Sequence, residues 1–163
     1  MQIGIIGLGD MGKLYAKAFA QAGYSVCGTD VFELIADLQT ELQSFGIEVL
    51  PDGHQLARKS DFIIFCVEAE QIAEVVSFYA KSIKHGAIVS GQTSVKHPEI
   101  LAFERYLPDD IHVVSCHSLH GPAIDTEGQT LIVLRHKASD ENYQIALKIF
   151  ASLKSNIIEM DDY

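Results

Sequence analysis

Short continuous apolar runs alternate along this chain with segments whose apolar residues return every three or four positions. Ile3 to Ile6 is the first run, brief and unbroken, as suits a strand buried on both faces of a parallel sheet. Met11, Leu14, Tyr15, Ala18, Phe19 and Ala22 then make one helical stripe, which Gly23 ends. Tyr24 to Thr29 predicts a second strand. Leu34, Ile35, Leu38, Leu42 and Phe45 predict a second helix, stopped at Gly46. Strands follow at Ile47 to Leu50 and Phe62 to Val67, with a short segment between them at Gly53 to Lys59. Ile72, Val75, Val76, Tyr79, Ala80 and Ile83 mark another amphipathic helix. Ala87 to Val89, Ile111 to Val114, Leu131 to Leu134 and Ile157 to Glu159 read as further strands. Pro98 suits the first turn of a helix reaching about Arg105, and Glu141 to Leu153 is helical in pattern. Such alternation implies an α/β domain, a mostly parallel sheet with helices on both faces. One segment breaks the rhythm. Ser115 to Gln129 reads as a long loop holding His117, His120, two glycines and a proline, and long loops in compact domains usually serve function.

Gly7-Leu8-Gly9-Asp10-Met11-Gly12 follows the first strand directly and opens the first helix. GxGxxG alone is a weak signal; between a strand and a helix it is the fingerprint of a dinucleotide site. The first glycine permits the tight turn, the second lets backbone approach a pyrophosphate, and the third lets helix pack on strand. Phosphates would sit at the helix N-terminus, against free N–H groups and the positive end of the dipole. Asp30 ends the second strand, 23 residues after Gly7, where a carboxylate accepts hydrogen bonds from the adenosine ribose. The expected fold is therefore Rossmann-type and doubly wound. Locally the residues favour NAD, since Thr29 to Asp37 holds no lysine or arginine and adds Glu33 and Asp37.

Length narrows the picture to one dinucleotide-binding domain spanning residues 1–163. Twelve basic residues stand against 22 acidic ones, for a net charge of −10 with no basic cluster, which excludes nucleic acid as the expected partner. No apolar run approaches the roughly 20 residues of a membrane span, and the N-terminus enters a strand without a signal-peptide pattern. A cytoplasmic protein is the expectation. Cys27, Cys66 and Cys116 lie far apart without CxxC spacing, so buried, reduced thiols are expected, with no metal site.

The stretches IGIIGLGDMG, IVSGQTSVKHPEI, SCHSLHGP and TEGQ together resemble prephenate dehydrogenase, specifically its fungal branch, over nearly the whole chain. In the wider family a Ser-Val-Lys follows the fifth strand and a His-Pro-Met-Phe-Gly the sixth; here the second reads His117-Ser118-Leu119-His120-Gly121. The resemblance implies oxidative decarboxylation of prephenate to 4-hydroxyphenylpyruvate in tyrosine biosynthesis. It implies His117 as catalytic histidine, with Ser94 beside substrate and nicotinamide. It also implies NADP as cofactor, against the NAD to which Asp30 points, so both remain open. Besides the glycine turn and Asp30, the cofactor contacts expected are Val67 and Glu68, read as edging the adenosine pocket, together with Gln92 and Ser94. Plainer readings exist for several of these. Ser94 could merely cap the helix near Pro98, His120 could be a solvated loop residue, and Lys96 reads as a solvated charge or phosphate neighbour.

Prephenate carries two carboxylates, which call for bidentate arginines. Arg58, Arg105 and Arg135 all lie outside the candidate loops. Family members carry a second, helical domain that supplies cationic contacts and a homodimer interface, and Asp161-Asp162-Tyr163 is where it would begin. The 163 residues alone are thus expected to be inactive. Two alternatives stand beside this reading. One is a related dehydrogenase for arogenate or a small hydroxy acid. The other is a non-catalytic nucleotide-sensing domain, which would need neither Ser94 nor His117.

Overall fold

The computed structural model describes residues 1–161, so Asp162 and Tyr163, where a further domain was expected to begin, lie outside the described residues. Eight strands form one sheet: β1 (Gln2–Ile6), β2 (Ser25–Thr29), β3 (Glu48–Val49), β4 (Phe62–Phe65), β5 (Ile88–Gly91), β6 (His112–Ser118), β7 (Thr130–Lys137) and β8 (Asn156–Met160). Their order across the sheet is β3-β2-β1-β4-β5-β6-β7-β8. The first six run parallel, β7 turns back antiparallel to β6, and β8 runs parallel to β7. This is the expected Rossmann-type sheet with one antiparallel turn added. Strand β1 pairs with β2 on one side and β4 on the other, and between β1 and β4 the winding reverses. Ligands of open α/β sheets bind at the carboxyl edge beside such a switch point.

Six α-helices cover the faces: α1 (Asp10–Gln21), α2 (Ile35–Leu42), α3 (Gly53–Lys59), α4 (Ile72–Tyr79), α5 (Lys96–Tyr106) and α6 (Asp140–Ala151). Gly23 ends the first helical segment with φ +95°, a conformation that costs glycine little and other residues much. Neighbouring residues of β4 point to opposite sides, so Phe62 and Ile64 join a core with α1, α2 and α6, while Ile63 and Phe65 join one with α3, α4 and α5. The continuous apolar spelling of β4 is explained by this: it has no solvent face.

Two expectations change here. Strand β6 continues past Val114 to Ser118, because Ser115 to Ser118 pair with Leu134 to Leu131 of β7, so His117 lies on a strand. The loop between β6 and β7 is shorter than expected and runs over 119–129. Helix α5 begins at Lys96, with Pro98 in its first turn as expected.

Phe150 on α6 is wholly buried and meets Phe62 edge-on, with ring centroids 5.6 Å apart. Phe150→Ala should therefore lower unfolding stability by about 3–5 kcal/mol, through lost transfer energy and a residual cavity. Denaturant melts of the two proteins measure this, and a loss below about 1 kcal/mol would show that the α6 face repacks.

Candidate active site

The glycines of the turn after β1 do three different things. Gly7 has φ +99°, and a Cβ there would lie 2.4 Å from the Cys66 carbonyl oxygen. A Cβ on Gly12 would lie 2.0 Å from the Gly7 carbonyl oxygen. Both are demanded by close packing of α1 and β4 around the turn. At Gly9 a Cβ would meet nothing within 4 Å, so the fold itself does not require glycine there. Gly9 also sits at the N-cap of α1 without a side-chain cap, which leaves first-turn N–H groups for a ligand. Open space before an uncapped helix N-terminus fits a pyrophosphate. The Leu8 side chain is buried against Gly28, so Leu8 can offer a ligand only its backbone.

Asp30 closes the turn from β2. Its Oδ2 accepts the Leu8 N–H at 2.7 Å, and its Oδ1 accepts the Val31 N–H at 2.7 Å. The carboxylate is thus turned toward the glycine loop, with each oxygen already receiving one donor. Beside it lies a cavity of about 580 Å³, lined by Gly7, Asp30, Val31, Val67 and, from α4, Phe78 and Tyr79. Its size and apolar walls suit an adenosine. The α4 residues escaped the sequence reading, although Phe78, half a turn out of phase with its helical stripe and 63% exposed, was the available signal.

A second cavity, of about 370 Å³, lies on the other side of Val67, which borders both. Met11 lies on its wall with Glu68, Gln92, Ser94, His117 and His120. Sequence positions from the ends of β1, β4, β5 and β6 therefore converge at the carboxyl edge. Glu68 lines this second cavity and not the first, because the turn after β4 carries it toward β5. Ser94 does not cap α5; Val95 holds the N-cap position, and no side chain caps the helix. Among the described residues, no hydrogen bond engages the side chain of Ser94 or His117. Burial, and then the Lys96 ammonium, hold His117 below the ordinary imidazole value, with Glu99 pulling the other way. His120 sets its Nδ1 2.8 Å from the Gly121 carbonyl, which makes Nδ1 the donor, and its shielded Nε2 has no partner among the described residues.

Gln92 spans the two strands that carry the candidate groups. Its Nε2 donates to Ser118 Oγ at 3.2 Å and its Oε1 accepts the Ser118 N–H at 3.2 Å. Ser118 Oγ also meets the hydroxyl of buried Tyr15 on α1. Burial pushes the Tyr15 phenol far above its usual range, so it stays a neutral partner. The expected cofactor contact of Gln92 is thus accompanied by a bracing role beside His117. Lys96 departs most from expectation. Its side chain is only 9% exposed, and its Nζ donates to the Gly91 carbonyl at 3.1 Å and lies 3.2 Å from both carboxylate oxygens of Glu99. A solvated charge it is not. Of the cysteines, Cys27 and Cys116 are buried and Cys66 is partly so, on the wall of the second cavity, and all are free thiols.

Comparison with known proteins agrees with the fold and with the resemblance. The chain is 47% identical over 157 residues to a probable prephenate dehydrogenase [NADP(+)] of Schizosaccharomyces pombe, covering 96% of this chain and 36% of that protein. It is 47% identical over 154 residues to prephenate dehydrogenase [NADP(+)] of Saccharomyces cerevisiae, covering 94% of this chain and 34% of that one. The chain thus spans about a third of the length of the curated relatives it matches. The resemblance seen in the sequence is borne out by both names. In fold it is similar to the crystal structure of prephenate dehydrogenase from A. aeolicus in complex with hydroxyphenyl propionate and NAD+, at TM-score 0.80 and 19% identity, covering 98% of this chain and 59% of that one. Residues 2–92 match the family described as NADP oxidoreductase coenzyme F420-dependent. Since that match takes in more than half of the 163 residues, the chain belongs to this family of dinucleotide-dependent oxidoreductases.

Proposed function

We propose that this chain is the dinucleotide-binding part of an NADP-dependent prephenate dehydrogenase of tyrosine biosynthesis. The observation that carries the reading is the meeting of His117 and Ser94 in one cavity, adjoining the open glycine turn. A nucleotide-sensing domain would need the turn but neither of those side chains. When bound, the nicotinamide supplies a hydride acceptor for the substrate carbon bearing the ring hydroxyl, while loss of CO₂ makes the ring aromatic. This chain's own part is the proton. His117, kept neutral by burial and by the Lys96 charge, accepts the hydroxyl proton as the carbonyl develops. The Ser94 hydroxyl, unengaged on the same wall, orients that oxygen. No lysine or arginine lines this cavity, and Glu68 and Glu70 stand on its wall. The substrate's carboxylates are therefore held by cations from the remainder of the full-length protein, a helical domain that also forms the homodimer.

Choice of NADP is supported by the relatives' names. In calorimetric titrations this domain should bind NADP more tightly than NAD, a tenfold preference amounting to about 1.4 kcal/mol. Gly9→Val should abolish binding of both without loss of thermal stability, because the added side chain enters open space. Tighter NAD binding would show that the Asp30 charge decides the choice; unchanged affinity in Gly9→Val would remove the pyrophosphate from the turn.

In the full-length enzyme, His117→Asn should cut turnover on prephenate by about 10² to 10⁴, with cofactor affinity nearly intact. The parent's kcat/KM should be level at neutral pH and fall on the acid side, as protonated imidazole can accept nothing. That fall should be centred below the ordinary imidazole value of about 6.5, because burial and Lys96 lower it. The 163 residues alone should be inactive. Near-normal turnover in His117→Asn would leave the histidine a structural role only.

A further inference from the structure

Glu99, on α5, is completely shielded from solvent. A carboxylate removed from water persists only where its oxygens receive donors or a countercharge. Here Oε2 accepts the Thr93 N–H at 3.1 Å and lies 2.5 Å from the Thr93 hydroxyl, while Oε1 accepts the Ser115 hydroxyl. Lys96 Nζ lies 3.2 Å from both oxygens and also donates to the Gly91 carbonyl. The space is reserved by the backbone: a Cβ on Gly91 would lie 2.3 Å from the Glu99 carboxyl carbon. One buried ion pair thus joins the end of β5, the loop carrying Ser94, the first turn of α5, and β6.

Ser115 and His117 are two residues apart on β6, so their side chains share a face of the sheet. The imidazole therefore stands on the side of the strand that the pair occupies. We propose that Lys96 and Glu99 are positioning residues for His117, a buried pair that holds the Ser94 loop against β6 and sets the field in which the imidazole takes up its proton. The two charges act oppositely on His117, and the cation has the larger effect. Other titratable groups near it are Glu68 and Glu70 from the turn after β4, His120 from the loop after β6, and Cys66. Both glutamates there are solvent-exposed, and water screens their charge; the Lys96–Glu99 pair is not screened in this way. The importance of this device to turnover rests on His117 as the proton acceptor; its effect on the imidazole does not.

The test is an NMR titration of the His117 ring in this 163-residue chain, its signal assigned by its loss in His117→Asn. Lys96→Met should move the midpoint up, and Glu99→Gln should move it down. Opposite directions are the signature, since mere loosening of the loop would expose the ring and move both variants the same way. Lys96→Arg should keep the parental midpoint. The double variant Lys96→Met/Glu99→Gln leaves no charge unpaired and guards against misfolding of the single ones. Its midpoint should rise, but less than that of Lys96→Met, because the larger of two opposed effects is removed with the smaller. Equal-sign shifts in the single variants, or an unmoved midpoint in the double one, would overturn the proposal. A normal turnover in full-length His117→Asn would instead sink the catalytic reading and leave the titration result standing.

Discussion

A carboxylate taken wholly out of water imposes conditions on everything around it. Each Glu99 oxygen needs donors, and the fold supplies them from three different elements: Thr93 after β5, Lys96 one turn back on α5, and Ser115 within β6. Satisfying that one group fixes how the Ser94 loop leaves β5 and where α5 begins. Leaving any member unpaired would cost several kcal/mol, a large share of the roughly 5–15 kcal/mol by which domains are stable. The candidate site is thus built on a polar knot beneath its floor, not on the apolar core alone.

A second set of contacts ties the glycine turn to the end of β6. Helix α1 starts at the glycine turn, and five residues in, Tyr15 reaches the Ser118 hydroxyl that Gln92 also holds. The helix that starts at the glycine turn is therefore braced directly against the strand end bearing His117. Val67 is a wall to both cavities.

Much of this was readable from residue order, because its causes are local. The strand–GLGDMG–helix sequence, Asp30 at the end of β2, and Pro98 in the first turn of α5 each follow from short-range steric and hydrogen-bonding rules. The resemblance carried Ser94 and His117. What escaped has non-local causes. Ser115-Cys116-His117-Ser118 breaks the apolar spelling and reads as loop, yet ladder bonds to β7 keep it a strand, and hydropathy is blind to a ladder. Lys96 and Glu99, three apart on a helix, spell a solvated pair. Only Gly91, lacking a Cβ, and Ser115, arriving from another strand, make them an interior one. Glu68 lines the second cavity and not the one beside Asp30 for a similar reason, since its position depends on how β4 sits between β1 and β5.

The loop over 119–129 is held unequally along its length. Its distal part is stitched down, with Thr126 Oγ1 donating to the Leu153 carbonyl, Ser155 Oγ to the Thr126 carbonyl, and Gly128 N to the Lys154 carbonyl. Residues 121–125 are all exposed, and among the described residues only two hydrogen bonds reach them, from His120 Nδ1 to the Gly121 carbonyl and from Thr126 Oγ1 to Asp125 Oδ1. Insertions are absorbed where backbone is exposed and carries few bonds. Length can therefore drift at 121–125 as related sequences diverge, while the spacing from Thr126 to β7 stays fixed. The rim of the cavity is the part of this fold with room to change its dimensions without disturbing its floor.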